Sequence, residues 1–583
     1  AAAVAVAHGV LDRPHDPRSA ATTRLALAQG LWAQGRLNEW MEQIEHGSQA
    51  TALTLAERAR FHAEAAGGHL TFGRLGPAEE NARAAIAGGR AAGDDLTVCL
   101  GLSALSIAAH YRGRYAAAIE LGGQVVELAG RSARPELGRR FFYAFQGMFL
   151  AVADRPEEAA RVVRAGRLLS AAAGVAADLP TYHYVAATLH YYAGRWEDAA
   201  AEAETSVTVA GEIDTRTGVI GGAGLLAHIA LRRGALAEAA RHLTLARQTL
   251  HEAGPQWGVD WLQWGVALLA EARGRPADAL DRLTRSWQRH ASLGLDHTLL
   301  RIGPDLLRLL LAAGAAPPNP AARPAAGPTA GPAAGPAAGP GAGRAAGPAA
   351  GPGASLAAAP AAGPAAGPAG SPAAGPAGSL VAGLAAGPAA IPRAGTAAPT
   401  AAEVLAAVCE IAERAGTASA RATALRCRGL LAGDPQLLLA AADEYAAAPR
   451  LLPRALVLAE AAAALARQGR AEESAAHYAE ALAGFDALGA ARDAARVAAA
   501  LRSAGIRRGV RGARRRPASG WASLTATELQ VAGLAAEGLT NPQIARRLYI
   551  SRYTVETHLK HVFAKLSMTS RVQLAAEVAR RAG

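Results

Sequence analysis

One turn signal recurs at a nearly constant interval, close to forty positions, through the first half of this chain. It reads Gly35-Arg36, Gly73-Arg74, Gly113-Arg114, Asp154-Arg155, Gly194-Arg195, Gly234, Gly274-Arg275 and Gly314. An acidic, alanine-rich run follows most of them, as in Pro156-Glu157-Glu158-Ala159-Ala160 and Trp196-Glu197-Asp198-Ala199-Ala200. Glycine ends a helix because it tolerates the left-handed C-cap conformation. Proline at 156 and 276 suits the first turn of a new helix, whose amides have no partner in any case. Carboxylates in that turn match the helix dipole. Each period is therefore predicted to be a helical hairpin. One hairpin cannot bury its apolar face alone, so successive hairpins are expected to stack into a solenoid.

The unit resembles tetratricopeptide-type repeats, but each period is longer than is usual for that class. Apolar residues make up 51% of the chain but aromatics only 5%, so alanine and leucine carry the apolar content and favour helix over sheet. The expected class is all-α: TPR-like repeats over 1–316, an insert over 317–399, repeats resumed over 400–503, an arginine-rich linker over 504–520, and a separate helical domain over 521–583. The insert is almost wholly Ala, Gly and Pro, with 18 of the chain's 32 prolines and a period of four. It lacks the side chains to offset its ordering entropy, so it is expected to be disordered with a polyproline II tendency. Gly433-Asp434-Pro435 and Gly469-Arg470-Ala471-Glu472-Glu473 repeat the turn signal beyond it.

Charge is concentrated at one end. Residues 501–583 hold 15 Lys+Arg against the carboxylates Glu528, Glu537, Glu556 and Glu577, a balance of +11 out of a total of +12. A neutral body with a basic tail points to a polyanion at the C-terminus. The linker arginines Arg514, Arg515 and Arg516 are expected to contact phosphates or the minor groove, the alternative being a solubilising spacer. The three cysteines, Cys99, Cys409 and Cys427, form no metal-ligand spacing, which argues against a zinc site or a disulfide framework. No lysine precedes Lys560, so nothing earlier can serve as the lysine of a Walker A loop. There is no nucleophile elbow or Gly-rich phosphate loop. A non-enzyme is the reading, with no metal or cofactor held by this chain. No run of 18 apolar residues suggests a membrane span, and a cytoplasmic protein is expected.

Residues 521–583 read as four short helices. Thr525-Ala526-Thr527-Glu528 and Thr540-Asn541-Pro542-Gln543 are capping boxes. Ser551 opens a third helix running to about Leu566, and Ser570-Arg571 opens a fourth. In the third, Val555, Leu559, Val562 and Leu566 make one narrow apolar stripe, opposite Tyr553, Glu556, Thr557 and Lys560. A short helix, a tight turn and a helix with a polar face is the helix-turn-helix arrangement, whose second helix enters the major groove.

Leu524-Thr525, Glu528, Gly538-Leu539-Thr540-Asn541, Ile544-Ala545, Leu548, Ile550-Ser551, Thr554-Val555, His558-Leu559, Lys565-Leu566 and Ser570-Arg571 together resemble the LuxR/FixJ-type DNA-binding domain. The resemblance implies that Thr554 and Val555 open the recognition helix and that Glu556, Thr557 and Lys560 face bases. Thr540, Asn541, Tyr553, Thr554 and Lys565 complete the expected DNA contacts. Two positions depart from the family pattern. Glu556 stands where the family often has a basic residue, and Thr527 replaces a frequent arginine. The family also implies promoter duplex DNA and RNA polymerase as partners, and a homo-oligomer through the last helix, Arg571–Arg581.

Repeats followed by such a domain resemble the large ATP-binding regulators of the LuxR family. A chain opening in repeats without methionine reads as a piece lacking their N-terminal ATPase, and ATP is expected to enter through that module. The repeats are then expected to sense an inducer or a protein partner. Aromatics precede three turns: Phe141, Phe142 and Tyr143; Tyr182, His183 and Tyr184; Trp261 and Trp264. They either pack the repeats together or line a ligand groove, for which Tyr143, Tyr184 and Trp264 are the candidates. The alternative function is an interaction scaffold tethered to DNA by its tail.

Overall fold

The computed structural model describes residues 2–12, 16–34, 36–131, 142–172, 178–253, 258–315, 398–448, 450–503, 519–548 and 550–582. The arginine triplet 514–516, Phe141, Gly35 and nearly all of the Ala/Gly/Pro insert lie outside them. All regular structure among the described residues is helical, and the helices pair in antiparallel hairpins along the chain. No described helix is long and apolar enough to cross a membrane.

The turn signal has a common geometry. Gly73, Gly113, Gly194, Gly234, Gly274 and Gly469 all have positive φ, from 67° to 86°. The amide of the next residue bonds back five positions: Arg74 to the His69 carbonyl at 2.8 Å, Arg114 to Ala109 at 2.8 Å, Arg275 to Ala270 at 3.0 Å and Arg470 to Leu465 at 3.0 Å. This is the Schellman closure of a helix end. At some of these turns the arginine reaches an acid three residues on, as in Arg155–Glu158 at 2.6 Å, Arg275–Asp278 at 3.4 Å and Arg470–Glu473 at 2.6 Å, whereas Arg114 reaches back to Glu79 at 3.3 Å. Where the acid is present, the pair braces the turn. Gly314 departs from the pattern: it lies inside the helix Asp296–Ala315.

Asp154 takes the glycine's place with φ 61°. Aspartate tolerates this conformation better than most side chains, and here its carboxylate is used. It accepts from Arg450 Nε at 3.1 Å and Nη2 at 2.9 Å, and from the Ser419 amide at 2.8 Å. The repeats coil so tightly that residues far apart in the chain meet. Arg414 reaches the Arg112 carbonyl and Asp296, and Arg232 reaches Asp493. The helix Asp296–Ala315 packs directly on Ala401–Ala415, so stacking continues across the insert. The main apolar cluster runs from Tyr115 to Leu501 as one body.

Several histidines are sealed in this core. His110 lies against Phe149, with ring centroids 5.2 Å apart, and against His297 at 4.3 Å. His228 donates Nε2–H to the Trp261 carbonyl at 3.0 Å. Burial, reinforced by Arg301 near His110 and Arg232 near His228, holds both at a pKa of about 3. Both are neutral in the fold, whereas the unfolded chain takes up protons below about 6.5. Lowered histidine pKa values therefore leave stability intact above that pH and erode it as pH falls. Each site is expected to cost about 2 kcal/mol by pH 5, or about 4 kcal/mol for the pair. Urea titrations at pH 7.5 and 5 check this, and equal midpoints would contradict it.

Candidate nucleic-acid interface

The C-terminal helices are built as their start signals require. A 3-10 turn, Trp521–Ser523, precedes the helices Ala526–Ala536, Asn541–Leu548, Arg552–Leu566 and Arg571–Ala582. Thr525 and Glu528 close a full capping box, and Ser551 Oγ accepts from the Thr554 amide at 2.9 Å. At the second helix, the Thr540 amide and hydroxyl both reach Gln543 Oε1, at 2.7 and 2.9 Å. Val555, Leu559 and Val562 are buried together with Leu524, Val531, Ile544 and Leu574. This cluster contains no residue of the repeats, so the domain carries its own core.

Glu528 is the polar hub of that core. It is buried, accepts from the Thr525 amide at 2.8 Å, and receives Lys565 Nζ on both oxygens at 2.8 and 2.7 Å. Lys565, expected on the DNA, is thus engaged inside the domain, tying the third helix to the first. Arg571 has a similar task. It donates to the Leu539 carbonyl at 2.6 Å and to Asn541 Oδ1 at 3.0 Å, so Asn541 is held at the turn between the first two helices. Val572 beside it is 79% exposed.

The polar residues of the third helix divide between two faces. Arg552, Glu556 and Lys560 are exposed, and Arg552 pairs with Glu556 at 3.3 Å. Tyr553, Thr554, Thr557, His558 and His561 instead face the repeat helix Trp196–Glu212. Thr554 Oγ1 donates to Glu202 Oε1 at 3.3 Å, and Thr557 Oγ1 lies 3.3 Å from Thr205 Oγ1. His561 lies 3.4 Å from Glu204, and Thr527 of the first helix donates to Asp198 at 3.1 Å. Burial and the neighbouring Glu212 raise the Tyr553 phenol. Burial lowers the His558 pKa against the pull of Asp198 and Glu202. The site residues expected on one DNA-facing surface are therefore split: Glu556 and Lys560 are open to solvent, while Thr554 and Thr557 are covered by the repeats.

The sequence reading missed the partner surface. A usable signal was present, since residues 196–212 hold Glu197, Asp198, Glu202, Glu204 and Glu212 with no basic residue. Glu202 is further held by Arg167 at 3.3 Å and His183 at 2.5 Å. Despite burial, these two keep it well below the usual carboxylate range.

The three aromatic candidates for a ligand do not converge. Tyr143 is packed in the apolar cluster. Tyr184 borders two neighbouring cavities, one toward His290 and one toward Trp40. Trp264 borders a third cavity of about 160 Å³, with Tyr192, Arg301, Tyr445 and Arg450. There, Trp264 Nε1 donates to Asp305 at 3.0 Å, and Arg301 and Arg450 lie over the Trp261 and Tyr192 rings. Arg301 also donates to His297 Nε2 at 3.0 Å, so the His297 proton sits on Nδ1 and points to Tyr115 Oη at 2.9 Å.

Residues 522–578 match the family model of bacterial regulatory proteins, luxR family. HTH-type transcriptional regulators of Mycobacterium bovis and Mycobacterium tuberculosis are 61% identical over 71 residues, which is 12% of this chain and 8% of each relative. The nitrate/nitrite response regulator protein NarL of Escherichia coli is 46% identical over 52 residues, covering 9% of this chain and 24% of NarL. The chain thus matches a small part of the length of these relatives. It carries a LuxR-type helix-turn-helix domain at its C-terminal end.

Proposed function

We propose that the chain is a transcriptional regulator whose C-terminal domain reads promoter DNA and whose repeats receive the signal. The observation that carries this reading is the luxR-family match over 522–578, on a domain with its own core and a two-faced third helix. Glu556, Thr557 and Lys560 would face bases, and Thr540, Asn541, Tyr553 and Thr554 the edges and backbone of the groove. Arg514, Arg515 and Arg516 would add salt-sensitive phosphate contacts. A homo-oligomer through the last helix, with the exposed Val572 near its start, would suit palindromic sites, with RNA polymerase as the next partner. An ATP-binding module, if it precedes these repeats in the full protein, would supply nucleotide control.

The cavity beside Trp264 supports the sensor role. Its arginines are matched by carboxylates (Arg301 by Asp260, Arg450 by Asp154, Arg426 by Glu460, Arg232 by Asp493), and its Asp305 by Arg308, so no unpaired charge is left to draw in an ion. Its volume suits a small neutral molecule about the size of one aromatic ring with acceptor atoms. DNA reading is tested with duplexes enriched from a random-sequence pool. Lys560→Ala should weaken binding to the enriched duplex by about 1–3 kcal/mol. An unchanged isotherm would take Lys560 out of the groove.

A further inference from the structure

We infer that the acidic face of the helix Trp196–Glu212 is an internal docking surface for the recognition helix, and that it competes with DNA for that helix. This rests on the DNA-reading proposal above and adds its regulation. Four carboxylates of one repeat helix meet the C-terminal domain: Asp198 at Thr527, Glu202 at Thr554, Glu204 at His561 and Glu212 beside Tyr553. Thr205 meets Thr557 between them. The helix carries five acids and no base, while the described C-terminal domain, residues 519–582, carries eight Lys+Arg against four carboxylates. A row of carboxylates along the recognition helix offers the same charge and acceptor chemistry as a DNA strand.

The two occupants exclude each other for steric reasons. A helix with its side chains is about 10–12 Å across, and the major groove, about 12 Å wide, admits one helix. With Trp196–Glu212 lying along it, the Thr554, Thr557 and His561 side of the recognition helix cannot enter.

The contact is also built to come apart. The domain's apolar core and the repeats' apolar cores are separate clusters, so release exposes neither. The side-chain contacts named above are polar, at 3.1–3.4 Å. Glu202 is held from the other side by His183, on the helix Leu179–Tyr192. The neighbouring Tyr184 on that helix borders the cavities described above. One rigid helix thus lies between the cavities and the docking surface.

Two changes in the full-length chain test the docking. Glu204→Lys sets a cation against His561 and Lys560 at a part-exposed position, where it leaves the repeat core untouched. Asp198→Cys with Thr527→Cys, a pair in contact at 3.1 Å and placed outside the DNA-reading set, permits a disulfide only in the docked arrangement. The probe is an enriched duplex from the random-sequence pool. The expected results are at least tenfold tighter binding by Glu204→Lys than by the parent chain, and binding by the double-cysteine chain that is lost on oxidation and restored on reduction. Equal affinity of parent and Glu204→Lys, together with no disulfide on oxidation, would overturn the docking while leaving DNA reading in place. Failure of every form to bind any duplex above background would overturn the DNA reading itself.

Discussion

Glu528→Ala is expected to unfold the C-terminal helices while the repeats remain folded. Glu528 is buried and serves both the first helix's capping box and the Lys565 ammonium. Its removal takes away the carboxylate that accepts from the Thr525 amide, half of the capping box, and leaves Lys565 without its counter-charge. Loss of one partner of a buried pair costs about 3–5 kcal/mol. Lys565 is 24% exposed, which lets water recover part of that and favours the lower end. In a domain of this size, about 3 kcal/mol lowers the melting temperature by roughly 12–24 °C. Hydrogen exchange over residues 525–578 should become fast, while protection in the repeats is unchanged. Glu528→Ala with Lys565→Met should recover part of the loss, because the uncompensated charge is gone. Unchanged exchange in the single variant would mean that the pair does not hold these helices together.

Asp154→Ala is expected to open the seam between the early and late repeats. Asp154 is the counter-charge of Arg450, whose guanidinium is buried, stacks 3.9 Å over the Tyr192 ring and donates to the Ala151 carbonyl at 2.6 Å. Removing the carboxylate strands that cation at about 3–5 kcal/mol. Alanine at φ 61° adds about 1–2 kcal/mol of left-handed strain. Asp154→Asn keeps the hydrogen-bond acceptor and tolerates the conformation, so it should lose clearly less. Urea unfolding of the three chains should rank them parent, Asn, Ala. An alanine variant within about 0.5 kcal/mol of the parent, the range of an ordinary surface substitution, would contradict the seam.

Local features of this fold could be read from residue order alone. The repeat period, the left-handed glycines and the caps at Thr525, Thr540 and Ser551 depend on residues within one turn of each other. Their backbone chemistry is fixed by neighbours, so spacing suffices. Asp154 shows the limit. Its place in the series predicts a turn, but nothing nearby points to Arg450, 296 positions on. That pairing follows from how tightly the hairpins coil, which is a sum of many small packing angles. The candidate site divides in the same way. The apolar stripe Val555, Leu559 and Val562 is periodic and therefore legible. Lys565 carries a charge that suits either phosphate or carboxylate, and only the position of Glu528 in space decides between them. Thr557 and Thr205 meet 352 residues apart through two hydroxyls, and hydroxyls leave no periodic mark. Only the unmixed acidity of residues 196–212 foreshadows that contact.

The central claim is that this chain recognises DNA by sequence through its third C-terminal helix. The most direct measurement is a titration of the Glu204→Lys chain, at one fixed salt concentration, against an enriched duplex and a scrambled duplex of equal length. Sequence reading predicts tighter binding to the enriched duplex by roughly 10³-fold or more. Equal affinity for the two would contradict the claim and leave only charge attraction between a basic tail and DNA.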